Sequence, residues 1–211
     1  MSLLNKICSK GGLAVGIVIA ILIIDQLIKI WVKTNMHMHE SIHITDWFYI
    51  TFIETMGMAF GMQIGSKILL SLFRMVAIAV LSYYIWQQIR KNVRIGYLVC
   101  LAMILAGAAG NLIDCMFYGL CFTSSSEFYT SYLVPFGSGY APFLMGKVVD
   151  MFYFPLIETD WPQWMPFVGG EHFVFFSPVF NFADASISVG VVLLLLFYRK
   201  EISEISLKKD E

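Results

Sequence analysis

Four aspartates and two asparagines stand in or beside stretches otherwise built for lipid: Asp25, Asn111, Asp114, Asp150, Asn181 and Asp184. A carboxylate in such a place costs several kcal/mol unless something pairs, protonates or hydrates it, so each is a functional candidate. Two carboxylates brought close together cannot both ionise cheaply. One keeps its proton while the other acts as a base, an arrangement suited to metal-free hydrolysis. Other chemistry finds little footing. The stretch "HMHESIH" gathers His37, His39 and His43, but no cysteine or carboxylate cluster completes a metal shell, so no metal is expected. No serine elbow, HExxH or glycine-rich phosphate loop is present, and no cofactor is expected.

The elements that must carry these residues follow from composition. The chain has 211 residues, 58% hydrophobic, 16% aromatic and 14% charged, which is the balance of an integral membrane protein. A net charge of −1 gives no sign of a nucleic-acid partner. Four runs reach the length of about 20 residues that a bilayer requires, at 12–32, 71–90, 95–115 and 179–198. The start resembles a signal peptide, yet its apolar run continues to Val32 without a small-residue cleavage site and is read as a retained helix. Cys8, Cys100, Cys115 and Cys121 show no CxxC spacing and read as small apolar filler. No repeat or second domain is visible, so 1–211 is expected to form one membrane-embedded domain.

Basic residues orient the runs. Lys6 and Lys10 precede the first, Arg90, Lys91 and Arg94 fill the link between the second and third, and Arg199, Lys200, Lys208 and Lys209 follow the fourth. The positive-inside rule then puts both termini and that link in the cytoplasm, with 33–70 and 116–178 outside. Those outer segments alternate like strands in "SIHITDWFYITFIE" and mix aromatics with turn formers in "WPQWMPFVGGEHFVFFSP", as sheet and loop on a membrane surface would.

Orientation fixes depth. Asp25 lies roughly 20 Å along a helix starting near Gly12, in the outer part of the bilayer. Asn111 and Asp114 close the third run at that level, Asn181 and Asp184 open the fourth there, and Asp150 lies in the loop feeding it. Local roles coexist with this convergence. Asn181 suits a helix N-cap with Asp184 in the first turn. Asp25 and Lys29, one turn apart, could simply pair. Lys33, Lys67 and Arg74 read as interfacial anchors, and Arg74 could also meet a lipid phosphate.

Five motifs in order then resemble the lipoprotein signal peptidases (signal peptidase II), especially long Bacteroidetes-like forms: "DQLIKIWV", "ETMGMAFGM", "GNLIDC", "VVDMF" and "FNFAD". The resemblance implies a helical integral membrane fold of four transmembrane helices with a small extracytoplasmic β-cradle and a short outer helix near "GMAFGM". It also implies catalytic roles for Asp150 and Asp184. Supporting positions around the substrate fall on Asp25, Lys29, Thr55, Gly57, Asn111, Asp114, Asn181 and Ala183. Two positions depart from the pattern: Thr55 stands where the family usually has Asn, and Cys115 where it usually has Arg. Losing that Arg removes a cation beside Asp114. The stretch 154–178 is long for the family and reads as an outer lid or cradle extension.

The implied activity is an aspartic endopeptidase of the bacterial inner membrane, acting near the periplasmic face. It cuts diacylglyceryl-modified prolipoproteins just before the lipidated cysteine, with membrane lipid as its other partner and a monomer as the expected state. The alternative from another class is a small proton-coupled transporter. That would spread ionisable residues through the depth of the bundle, whereas the inner halves of these runs are almost uncharged.

Overall fold

The computed structural model describes residues 3–56 and 67–202. Gly57 and the segment expected to form the short outer helix lie outside the described residues, as do Lys208 and Lys209. Helix α1 spans Leu3–Asn35, α2 Lys67–Arg90 and α3 Ile95–Ile113. The path of α3 continues through a π-helical turn, Asp114–Tyr118, into the short α4, Gly119–Cys121. The last helix, α5, spans Phe182–Phe197.

Among the described residues three helical stretches are long and apolar enough to cross a membrane: Ser9–Asn35, Lys67–Arg90 and Ile95–Cys121. The fourth run is shorter than expected. Val179–Phe180 is strand, Asn181 is extended, and the 16-residue α5 that follows is about 24 Å long against a hydrocarbon core of about 30 Å. The residues preceding the helix are drawn off by sheet pairing, a competition that hydropathy does not register.

The strands form more sheet than a helical reading suggests. β1 (Ser41–Thr45), β2 (Phe48–Thr55), β3 (Val148–Tyr153) and β6 (Val179–Phe180) make an antiparallel sheet in the order β1-β2-β3-β6. β4 (Ile157–Asp160) and β5 (His172–Phe175) form a separate hairpin, which is what the long 154–178 stretch builds. Its tip carries exposed Trp164 and fully exposed Phe167.

Helix α3 is central, packed against α1, α2 and α5. Two glycines permit that closeness. A Cβ on Gly107 would stand 2.3 Å from the Ala183 carbonyl oxygen, and one on Gly110 would stand 2.8 Å from Asp25 Oδ2. Only a hydrogen fits where α3 meets α5 and α1. Under the sheet, Val32 and Met36 from α1, Phe52 from β2, Tyr118 and Phe122, and Val149 and Met151 from β3 make one apolar core. That core fixes the sheet at the C-terminal ends of α1 and α3, so β3 delivers Asp150 to the start of α5.

Candidate active site

Each element brings at least one polar group to a common point. β3 alternates, turning Val149 and Met151 into the core and leaving Asp150 on the opposite face, where it is 5% exposed. β2 runs antiparallel beside it, with Ile53 opposite Asp150 and Thr55 opposite Val148. The Thr55 hydroxyl, on the same face, donates to Asp150 Oδ2 at 2.9 Å. Thr in place of the family's usual Asn therefore still supplies a donor.

Helix α5 opens with a capping box. Asn181 Oδ1 accepts from the Asp184 amide at 2.9 Å, while Asp184 Oδ2 faces the Asn181 amide at 3.5 Å. Because that backbone amide can only donate, it fixes the Asn181 oxygen there and turns the NH2 group outward. Asn181 Nδ2 then donates to Asp150 Oδ1 at 2.6 Å and to Asn111 Oδ1 at 3.1 Å. The same reasoning orients Asn111. Lys29 Nζ, also donor-only, holds Asn111 Oδ1 at 2.9 Å, leaving Asn111 Nδ2 to donate to Asp184 Oδ1 at 2.7 Å. One lysine thus points an amide at one carboxylate, and one helix cap points an amide at the other.

Beneath this layer Lys29 is shared between two carboxylates. Its Nζ lies 3.0 Å from Asp25 Oδ2 and 2.8 Å from Asp114 Oδ2, with all three side chains no more than 1% exposed. The expected Asp25–Lys29 pairing is there, but Asp114 shares it. Asp25 Oδ1 also accepts from the Ala183 amide in the first turn of α5 at 2.9 Å, where a negative charge favours the helix dipole. Asp114 Oδ2 takes the Val149 amide at 3.4 Å and so holds β3 next to Asp150. Asp25, Lys29, Asp114 and Ala183 therefore form a buried support under Asp150 and Asp184.

Asp150 and Asp184 are differently placed. Burial first, and then the negative charge of Asp184, push the Asp150 carboxyl up to about 7, against the opposing pull of the Thr55 and Asn181 donors and of Lys29. Asp184 is half-buried at the start of α5 and keeps an open side.

Several contributors give no sign in the sequence of what they touch. Gln26 Nε2 donates to Asp114 Oδ1 at 2.9 Å, and its carbonyl takes the Tyr118 hydroxyl at 3.1 Å. Gln26 sits in a quoted motif, yet its partners are 88 and 92 residues away. Lys33 is no interfacial anchor but is buried in an ion pair with Glu54. Lys67 is likewise buried, its Nζ 3.6 Å from Met56 Sδ. Arg74 reaches from α2 to place Nη1 3.5 Å from Cys115 Sγ. A guanidinium from α2 thus lies beside the position, in the π-helical turn after α3, where the resemblance expects one. His37, His39 and His43 face Glu40, Glu127 and Asp46 separately, and the described residues hold no group of three potential metal ligands.

Comparison with known proteins gives this geometry its family. The chain is 49% identical over 195 residues to the lipoprotein signal peptidase of Porphyromonas gingivalis, covering 92% of this chain and 86% of the relative. It is 35% identical over 196 residues to the lipoprotein signal peptidase of Amoebophilus asiaticus, covering 90% and 78%. A solved bacterial membrane enzyme shares the fold with a TM-score of 0.59 at 22% identity, over 92% of this chain and 91% of that one. These relatives displace the transporter alternative. The family model described as Signal peptidase (SPase) II matches residues 17–199, and the chain belongs to that family.

Proposed function

We propose that Asp150 and Asp184 are the aspartic dyad with which this signal peptidase II, a membrane protease of lipoprotein maturation, cuts the signal peptide from prolipoproteins. The observation that carries the reading is the Asn181 cap, which joins the helix start of Asp184 to the carboxylate of Asp150. The difference in burial supports distinct roles: Asp150 holds the proton and Asp184 is the base.

In this mechanism Asp184 takes a proton from a water as its oxygen attacks the scissile carbonyl carbon. Asp150 gives its proton to the carbonyl oxygen, forming a neutral gem-diol. Asp184 then protonates the leaving amide nitrogen, Asp150 recovers a proton from one gem-diol hydroxyl, and the C–N bond breaks. Acid and amine products leave with the dyad restored. Asn111 and Thr55 keep the two carboxylates oriented throughout.

The architecture proposed around this chemistry has α5 as a fourth crossing and both termini cytoplasmic. The dyad lies near the periplasmic face of the bacterial inner membrane. A diacylglyceryl-cysteine would lie with its acyl chains in the bilayer, bringing the preceding peptide bond to the level of the dyad and supplying orientation without a large polar recognition surface. The protein would act as a monomer.

The test is cleavage of a diacylglyceryl-modified prolipoprotein peptide by the purified chain in detergent with chelator, beside Asp150→Asn and Asp184→Asn. The parent should cut before the lipidated cysteine, and each variant should fold and lose turnover. Cleavage by both variants would overturn the dyad.

A further inference from the structure

A second buried ion cluster lies beneath the other face of β2. Glu54 and Lys33 form an ion pair with side chains 1% and 0% exposed. Ser125 Oγ, from the loop between α4 and β3, lies 2.9 Å from both Lys33 Nζ and Glu54 Oε1. Lys147 Nζ, at the entrance to β3, lies 3.4 Å from Glu54 Oε2. The Lys33 ammonium also stands over the rings of Phe122 and Tyr140, at 5.5 and 5.1 Å. One carboxylate thus ties together the end of α1, the end of β2, an outer loop and the approach to β3.

A buried ion pair is weak evidence for stability, because apolar residues of similar volume often do as well. Its better-attested use is to fix a register, and past the register shift in β2 only three pairs, Ile53 with Asp150, Glu54 with Val149 and Thr55 with Val148, align Thr55 with Asp150. The β2–β3 ladder is irregular between Ile50 and Ile53, and Thr55 is the last residue of its strand. Those three pairs end the strand, and the middle one is Glu54, the immediate neighbour of Thr55, which is ion-paired to Lys33 and Lys147 and bonded to Ser125.

We propose that Glu54 is a positioning residue of the cleavage reaction: its clamp to Lys33, Ser125 and Lys147 fixes the end of β2 so that the Thr55 hydroxyl stays on Asp150. The proposal rests on the dyad reading. The charged groups acting on Asp150 are Asp184 from α5 and Lys29 from α1, with Thr55 and Asn181 as neutral donors. Losing the Thr55 bond removes a donor to the ionised form and moves the titration of Asp150 to higher pH. Losing the Glu54 charge by itself, acting only through its field, would move it to lower pH. The sign separates the two effects.

The experiment measures kcat and KM against pH for the full chain in detergent, on a diacylglyceryl prolipoprotein peptide. It compares the parent with Glu54→Gln, Thr55→Val, their double variant and Asp150→Asn. Glu54→Gln should lower kcat roughly tenfold with KM within about twofold. Its basic limb should move upward as in Thr55→Val, and adding Glu54→Gln to Thr55→Val should cost little more. Should Glu54→Gln fail to fold, Lys33→Met/Glu54→Leu removes both charges at similar volume and should show the same upward shift. A limb that stays or moves down, or effects that multiply, would overturn the positioning role. With Asp150→Asn inactive, such a result overturns the clamp alone; cleavage by Asp150→Asn would instead sink the dyad.

Discussion

Asn181 Nδ2 lies 2.6 Å from Asp150 Oδ1, so the residue that caps α5 is also a direct partner of the carboxylate delivered by β3. Helix start and strand are locked by one side chain, and the two aspartates cannot move apart without breaking it.

This double duty separates under mutation. Asn181→Ser keeps a capping oxygen but is too short to reach Asp150, whereas Asn181→Ala loses both contacts. Thermal melts in detergent should show Asn181→Ala less stable by about 1 kcal/mol and Asn181→Ser close to the parent. Cleavage should fall in both by about a hundredfold or more. A Ser variant that cuts at the parental rate would show that the amide bond to Asp150 is dispensable.

Lys29 is the only cation among the described residues that touches both Asp25 and Asp114. Removing it as Lys29→Met leaves two buried carboxylates without their counter-charge, a loss of about 3–5 kcal/mol. The variant should melt at much lower temperature, and Lys29→Met/Asp114→Asn should recover part of the loss by deleting one of the stranded charges. Equal melting of parent and Lys29→Met would contradict the buried placement of this triad.

Asp150 sets a pH dependence of defined sign. Its carboxyl is raised to about 7, chiefly by burial and then by Asp184, so in the acid role proposed for it Asp150 delivers its proton below that value. Cleavage should decline as pH rises through about 7, and Thr55→Val should shift the decline upward. The same raised value makes stability linked to this group fully present below the ordinary carboxylate range and lost as pH climbs toward about 7. A pH–rate profile combined with melts across pH 4 to 9 checks both, and a rate still rising above pH 8 would reverse the assignment of acid and base.

The convergence of the carboxylates at one level was legible because hydropathy gives the runs, successive runs reverse direction, and a fixed rise per residue converts position along a run into depth. Asp25, Asn111 and Asp114 meet around Lys29, with Asn181 joined through Asn111, for that reason. What stayed hidden was pairing between distant segments. Lys33 looks like an anchor until Glu54, 21 residues on and in a strand, is seen beside it. The start of α5 was placed three residues early because Val179 pairs with Tyr153 across the sheet, a contact that apolar character alone cannot distinguish from helix.

Arg74 gives the sharpest test of how this chain accommodates Cys115. The cysteine is 1% exposed and cannot itself supply charge, yet the Arg74 guanidinium lies 3.5 Å from its sulfur. A guanidinium presents a rigid fork of donors where a lysine offers a point charge, so under the proposed function an arginine at this spot would suit the carbonyl and ester oxygens of a lipidated substrate better than a lysine would. Arg74→Met should raise KM for the lipidated peptide about tenfold while changing kcat less, since it removes binding rather than acid–base chemistry. Arg74→Met/Cys115→Arg returns a guanidinium from the π-helical turn after α3 into the volume vacated on α2 and should restore most of the loss. Rescue would establish that the position of the cation matters and not the helix that supplies it; an Arg74→Met variant with unchanged KM would remove Arg74 from substrate binding altogether.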